Sequence, residues 1–356
     1  MNAINKLIGQ NQAKRCMNRI AWKVRENQPG IIDSPCFIGP TGSGKTEACR
    51  AMFRAAGVPL LELQPQSIPK ANDLYDEIMN FELPQEMIDE YEESGIPARF
   101  GIMIDEVQQV TKSMEQCLLK ALEPKDRMLV TEDGRKLDTS RLLFAFCTTD
   151  IGDLFDALVC RLMPVEIRLY SKVEMAQIIA LNYPHWPGEA CRKVAHYSSQ
   201  NPRESLRFAK TMQDEIDMRE DMGENADYLV VSDYVARESN IDPHGMTMQR
   251  LRVLTALGHQ PVSAARLRHV CGVKDSELYK FILPPLLSTT PDQPAPLLTV
   301  SNKGYTITPA GLAELDKREI GNRGIEAIPK SVRSLFKIEP VSRKKTYGDL
   351  QPSDLE

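Results

Sequence analysis

The sequence predicts an α/β protein, with a parallel sheet covered by helices on both faces, then a small helical domain, then a C-terminal winged helix. Short apolar runs alternate with helical patterns up to about residue 170, as in a sheet buried on both sides. From there to Asp242 the pattern is helical, with no long strand candidate. Past Met246, a helix–turn–helix pattern ends in two short strands about a tight turn.

The first helix is expected from Asn11 to Arg25, where Met17, Ile20, Ala21 and Val24 recur at helical spacing, and Pro29-Gly30 closes it. Cys36-Phe37-Ile38 reads as a strand and runs into Gly39-Pro40-Thr41-Gly42-Ser43-Gly44-Lys45-Thr46. A helix over Glu47 to Ala56 follows and stops at Gly57. Pro59 to Leu63, Gly101 to Ile104, Leu142 to Phe146 and Val165 to Leu169 read as the remaining strands. Between the second and third lies an acidic stretch, Glu82 to Ser94, without Lys or Arg. It reads as a solvated helix or loop, or as an insertion that docks a partner. Asp133-Gly134, within Arg127 to Thr139, is a hairpin turn signal.

In the last module Met248 to Leu257, Ala264 to Val270 and Ser276 to Leu287 are the expected helices. Leu297 to Val300 and Tyr305 to Thr308 are the expected strands, flanking Asn302-Lys303-Gly304. After about Gly321 periodicity fades, and the stretch holding Arg343-Lys344-Lys345 reads as a flexible tail. The domains are thus drawn as 1–171, 172–244, 245–320 and the tail 321–356.

Composition excludes some classes. No apolar run is long enough to span a membrane, and the polar start Met1 to Lys6 is unlike a signal segment. The eight cysteines lack paired C-x-x-C spacing, which argues against structural zinc or a disulfide framework and makes a reducing cytoplasm the simplest setting. The net charge of −5 is uneven: residues 246–356 carry 16 Lys+Arg against 11 Asp+Glu, and the remainder 28 against 38. A basic end on an acidic body fits nucleic-acid contact at that end, and equally an ordinary fluctuation of surface charge.

Two motifs carry chemistry. Gly39 to Thr46 matches G-x-x-x-x-G-K-T in full, after a strand and before a helix. Its glycines let backbone N–H groups curl about phosphates, and the helix N-terminus adds its positive end. Lys45 then reaches the β- and γ-phosphates of ATP, and Thr46 gives a hydroxyl to Mg²⁺. Ile102-Met103-Ile104-Asp105-Glu106 places two carboxylates at a strand end. Asp105 would hold the magnesium and Glu106 would orient or deprotonate the attacking water. A scaffold that only held ATP would have no chemical need for Glu106.

These residues resemble a known family, the RuvB branch-migration motors of the AAA+ superfamily, from about Leu7 to about Leu315. Leu7-Ile8-Gly9-Gln10 is similar to the family's opening V-G-Q, which implies that Ile8 packs on adenine. Ile104-Asp105-Glu106-Val107 is similar to I-D-E-I, and Cys147-Thr148-Thr149-Asp150 to A-T-T-R. The second likeness gives Thr148 the sensor-1 role beside the γ-phosphate. Gln200-Asn201-Pro202-Arg203 resembles T-P-R, so Arg203 is the sensor-2 arginine that brings lid charge to the same phosphate. Lys303 and Tyr305 about Gly304 resemble the R-G-R of the wing, and Lys303 is the best DNA contact, as a phosphate binder.

Departures are also plain. Where the family has L-R-D-R-F, this chain has Leu158-Val159-Cys160-Arg161-Leu162, so the trans-acting arginine finger is carried to Arg161. The hairpin at Asp133-Gly134 is shorter than the one that docks RuvA, which argues against a RuvA-type partner. The resemblance implies an AAA+ P-loop ATPase domain, a helical lid, a winged-helix domain, and a homo-oligomer as a hexameric ring or spiral. The function it implies is an ATP-driven motor on duplex or branched DNA in recombination, replication or repair. An ATP-switched DNA-binding or helicase-loading factor is the alternative. A protein-remodelling ATPase ranks last, because no aromatic–glycine pore loop is evident.

Overall fold

A computed structural model describes residues 3–26, 33–95, 99–198, 201–257 and 261–318. Pro29-Gly30 and the tail 321–356 lie outside the described residues. The chain divides into two compact units, Met1–Tyr170 with Asn201–Glu204, and Ser171–Gln200 with Ser205–Glu356.

The first unit opens with α1 (Ala3–Lys6), α2 (Asn11–Arg25), β1 (Ser34–Ile38), α3 (Lys45–Ala56), β2 (Leu60–Leu63), α4 (Ala71–Met79) and α5 (Gln85–Ser94). It continues with β3 (Phe100–Ile104), α6 (Lys112–Ala121), β4 (Met128–Val130), β5 (Lys136–Asp138), β6 (Leu142–Thr148), α7 (Asp156–Val159) and β7 (Leu162–Glu166). Five strands form a parallel sheet in the order β2-β3-β6-β1-β7. Successive residues of a strand face opposite sides, and both sides here are covered. Phe37, Met103, Ala145 and Cys147 join a core with α1, α2 and α3, while Cys36, Ile102, Ile104, Phe144 and Phe146 join another with α4 and α6. Near-continuous apolar strands follow from that double burial. Because β1 lies between β6 and β7, the loop after it emerges where the strand order reverses, the usual crevice of an open parallel sheet.

Most strands fall where the sequence puts them. The last is displaced toward the N-terminus, with Ser34 paired to Leu162 and Ile38 to Glu166. It contains Pro164 and is the sheet's edge, where a residue without an N–H is tolerated. The stretch after Phe81 forms α5, with Glu86, Asp89, Glu90, Glu92 and Glu93 exposed. β4 and β5 make an antiparallel hairpin turned at Gly134, at φ 87°.

The second unit begins with α8 (Lys172–Asn182) and α9 (Gly188–Tyr197), holds most of α10 (Pro202–Asp221), and continues with α11 (Tyr228–Glu238), α12 (Met248–Ala256) and α13 (Ala264–Cys271). A broken helix follows, as α14 (Asp275–Glu277), a π-helical Leu278–Ile282 and α15 (Leu283–Leu287), then β8 (Leu298–Ser301), β9 (Gly304–Ile307) and α16 (Pro309–Asp316). The break has a cause. Pro285 has no N–H for the Phe281 carbonyl four residues earlier, and Arg250 Nη2 donates to that carbonyl at 3.0 Å instead. The π-helical turn rests on the same adjustment.

β8 and β9 pair about the two-residue turn Asn302-Lys303. Gly304 sits at φ 124°, and a Cβ there would lie 2.5 Å from the Val262 carbonyl oxygen. Only glycine fits that approach. Val262 and Tyr305 exchange backbone hydrogen bonds of 2.9 Å each way, adding a third short strand segment to the hairpin. Arg318, its side chain 4% exposed, ion-pairs with Asp242 and with Glu314 and so ties the end of α16 to the segment after α11. Among the described residues no helix is long and apolar enough to cross a membrane.

Candidate nucleotide site

The glycine-rich loop runs from β1 into α3, whose first residue is Lys45. Gly42 and Gly44 have φ of 79° and 96°, which curls the loop around the helix start. At Gly42 space matters as well as backbone freedom, since a Cβ would lie 2.6 Å from Asn201 Oδ1. Lys45 is buried, and its Nζ donates to Gly39 O at 2.9 Å and Pro40 O at 3.2 Å. Burial lowers the lysine pKa most, Glu106 and Asp105 oppose that, and Arg203 adds to it. Ser43 Oγ is buried with no hydrogen-bond partner among the described residues. A polar atom so placed costs about 1–3 kcal/mol unless something bonds it. The loop therefore offers an unfilled donor, a buried ammonium and the N-terminus of a twelve-residue helix, all suited to phosphate oxygens.

At the end of β3, Asp105 faces the loop. Thr46 Oγ1 donates to Asp105 Oδ2 at 3.1 Å, while Asp105 Oδ1 accepts from the Glu106 N–H at 3.0 Å. A hydroxyl and a carboxylate meeting at one point are hard oxygen donors of the kind Mg²⁺ takes alongside phosphate oxygens and water. No group of three or more His, Cys, Asp or Glu suited to a metal occurs among the described residues. Glu106 adopts a left-handed backbone, φ 50° and ψ 45°. For a residue other than glycine that costs on the order of 1 kcal/mol or more, and it turns the chain sharply after the strand.

Sequence reasoning missed Gln108. Its Nε2 donates to Glu106 Oε2 at 2.5 Å and to Thr149 Oγ1 at 3.2 Å, and its Oε1 accepts from Thr148 Oγ1 at 2.7 Å. Thr148, fully buried at the end of β6, is thus joined to Glu106 through one amide. The only signal was a polar residue two places after the paired acids.

Two further residues, each given no role by the motif that contains it, hold the site's edges. Gln10, with φ 53°, follows Gly9 at φ 59° in the turn that carries half-buried Ile8. Its side chain bonds both the carbonyl (2.8 Å) and the N–H (3.2 Å) of Arg168, pinning that turn to the chain beyond β7. Asn201 Nδ2 donates to Thr41 O at 2.6 Å, and its Oδ1 accepts from Arg203 N at 3.0 Å. Arg203 thereby stands beside the loop, its Cβ 2.9 Å from where a Gly42 side chain would begin.

Arg161 lies elsewhere, in the turn between α7 and β7. Its Nη2 pairs with Glu123 Oε2 at 2.8 Å and its Nη1 with Ala157 O at 2.8 Å. Glu123 follows α6, so this guanidinium is anchored at the end of that helix. In the second unit Lys303 is exposed at the hairpin tip. Tyr305 is half-buried against that unit's core, and desolvation raises its phenol pKa.

Residues 35–172 match the model of the ATPase family associated with various cellular activities (AAA). Among solved structures, a point mutant of Thermotoga maritima RuvB is similar at a TM-score of 0.68 and 19% identity, over 89% of this chain and 98% of that one. The Thermotoga maritima RuvB Holliday junction branch migration motor is similar at a TM-score of 0.67 and 20% identity, over 89% of this chain and 97% of that one. At these identities the likeness is one of fold.

Proposed function

We propose that this chain is an ATP-hydrolysing, oligomeric motor acting on duplex or branched DNA, a reading supported by the match of residues 35–172 to the AAA model and by the likeness in fold to RuvB. The observation that carries the reading is the Thr46–Asp105 hydrogen bond, which joins two motifs 59 residues apart at one point beside Lys45. In this reading residues 1–171 are the ATPase domain, 172–244 the lid, 245–320 a winged-helix module, and 321–356 a tail.

Lys45 and the loop N–H groups grip the β- and γ-phosphates of ATP. Thr46 and Asp105 would hold Mg²⁺, which when bound would supply positive charge to offset the charge that develops on the phosphates. Glu106 accepts the proton of the attacking water, and Thr148 orients that water against the γ-phosphate. Arg203 brings a second cation to the same phosphate. Arg161 reaches the nucleotide of a neighbouring copy, which makes assembly, as a hexameric ring or spiral, a condition of turnover. Ile8 covers the base. Lys303 holds a DNA phosphate at the hairpin tip, with Tyr305 beneath it as the packing residue.

Two features favour a second reading, an ATP-switched DNA-binding or helicase-loading factor. The β4–β5 hairpin is short, with three residues in each strand, and α5 presents a row of exposed carboxylates. The separating experiment is branch migration of four-way DNA by the purified chain with ATP and Mg²⁺. Strand exchange that stops with Glu106→Gln supports the motor. DNA-stimulated turnover without strand movement supports the loader.

A further inference from the structure

We propose that the groove between α5 and the leading ends of β3 and β6 docks the chain end of a partner protein. The bulky apolar side chain of a C-terminal residue fills the groove, and its carboxylate meets the guanidiniums of Arg99 and Arg141. This surface is separate from the nucleotide site and stands without it.

The groove has a volume of about 340 Å³, within the range of ligand pockets. Its walls are apolar: Ile78 of α4, Phe81 after it, Met87 and Ile88 of α5, and Phe100 and Leu142 at the starts of β3 and β6. None of the described side chains of α5 is buried, so the apolar side of that helix is left without full cover. The hairpin adds only Leu137 and Asp138, and its turn at Gly134 takes no part.

The polar end of the groove is cationic and uncompensated. Arg141 lines it, and Arg99 stands beside Arg141, because each precedes by one residue the paired Phe100 and Leu142. Burial, and after it the charge of Arg141, lower the pKa of Arg99. Nε and Nη1 of Arg99 and Nε of Arg141 are buried without a hydrogen-bond partner, and neither residue forms an ion pair among the described residues. Arg50, Arg135 and Arg161 in the same unit are each paired with a carboxylate. Asp138, the one acid lining the groove, accepts from the Ser140 N–H at 2.8 Å. Neighbouring cations with donors shut off from water are costly unless an anion answers them. A carboxylate spanning both arginines supplies charge-assisted hydrogen bonds.

That complementarity fixes the occupant. Each arginine is followed at once by an apolar wall residue, so the occupant carries its anion next to its apolar group. A C-terminal Phe or Leu does so, since carboxylate and side chain share one Cα. At 3.6 residues per turn Asp89 and Glu93 fall on the side of α5 away from Met87 and Ile88, while exposed Glu92 flanks Ile88. The residues upstream in the occupant are therefore neutral or basic.

The test titrates the full-length chain against a fluorescein-labelled peptide, Gly-Ser-Lys-Gly-Leu-Phe with a free C-terminus, by fluorescence anisotropy. The same peptide amidated at its C-terminus should bind about tenfold more weakly, the scale of one hydrogen bond to a charged group. A version ending in Ala should bind more weakly still. Arg141→Met should remove the preference for acid over amide, Arg99→Met should reduce it, and Met87→Glu should weaken both peptides. Neither arginine has a partner to lose, so both arginine variants should melt no lower than wild type and keep Mg²⁺-ATP turnover. Equal binding of acid and amide by wild type overturns the proposal, whether or not the variants fold. So does a preference that survives both arginine substitutions, or no peptide binding at millimolar concentration. Self-association of the wild type that Arg141→Met abolishes, without peptide binding, would put a second copy in the groove and equally overturn it.

Discussion

The nucleotide loop of the first unit and the C-terminal hairpin of the second are both short turns held by glycine, yet they differ in what their side chains do. Around Gly42 the neighbouring polar groups converge. Lys45, Ser43, Thr46, Asp105 and Asn201 meet within hydrogen-bonding range of the loop or of one another, and one of them, Ser43 Oγ, is left without a partner. Around Gly304 the polar groups are spent on the fold itself. Val262 and Tyr305 close the hairpin, Arg250 repairs a helix interrupted by proline, and Arg318 joins α16 to the residues before α12. At the tip Lys303 is exposed beside Asn302. A triphosphate demands particular atoms at particular places, whereas a DNA backbone asks only for positive charge within reach. If the proposed roles hold, the first kind of site is written densely and the second sparsely.

The largest effect expected from this contrast is on turnover. Arg161→Ala should lower turnover about 10³–10⁵-fold, the range for a trans-acting arginine, while the affinity of a single chain for ATP is unchanged. Loss of affinity in step with rate would place Arg161 in its own chain's pocket and blur the distinction. Glu106→Gln should cost about 10²–10⁴-fold in rate and trap bound ATP, measured as retained nucleotide after gel filtration.

The hairpin side of the comparison is sharpened by stability. Arg318→Met should destabilise the second unit, by less than the roughly 3–5 kcal/mol of a fully buried pair, because it leaves half-buried Asp242 without its cation while Glu314 keeps Lys317, as read by urea unfolding. Burial would raise the pKa of Asp242 and of Glu314, but it is outweighed, by Arg318 and the Met246 N–H at Asp242 and by Lys317 and Arg318 at Glu314, and both are held below their usual range. Their contribution is therefore present above the unfolded pKa values, about 4, and is lost as pH falls through the lower folded values. The mutant should show a weaker acid dependence than wild type, and an identical acid limb would mean that the ion pairs are idle. The smallest effect is expected at Lys303→Ala. DNA binding should weaken about equally across sequences, and the salt slope should fall by about one unit.

How much of this was legible in the sequence follows the same contrast. The phosphate loop, Asp105 and Glu106 could be read directly, because strand, turn and helix signals agree with the motif around them. The sheet's double burial was visible in runs such as Leu142 to Phe146. Register at the edge strand was not, because Pro164 sits inside it and interrupts the pattern a strand is recognised by. The helix expected from Ser276 to Leu287 is broken, because Pro285 leaves the Phe281 carbonyl without an N–H and the donor that replaces it, Arg250, is distant in sequence. Gln108 and Asn201 were overlooked for one reason: each acts through a side-chain hydrogen bond to a distant segment, Thr148 for one and Thr41 for the other. Nothing in local spacing announces such a bond.

At the centre is the idea that one copy grips ATP and the next completes its hydrolysis. The most direct measurement is the steady-state phosphate release per chain, with magnesium and DNA present, across a wide range of protein concentration. A per-chain rate that climbs steeply as copies assemble, and is abolished by chelating magnesium, is the predicted result. A chain that releases no phosphate at any concentration, or releases it at a constant rate per chain when fully monomeric, would contradict it.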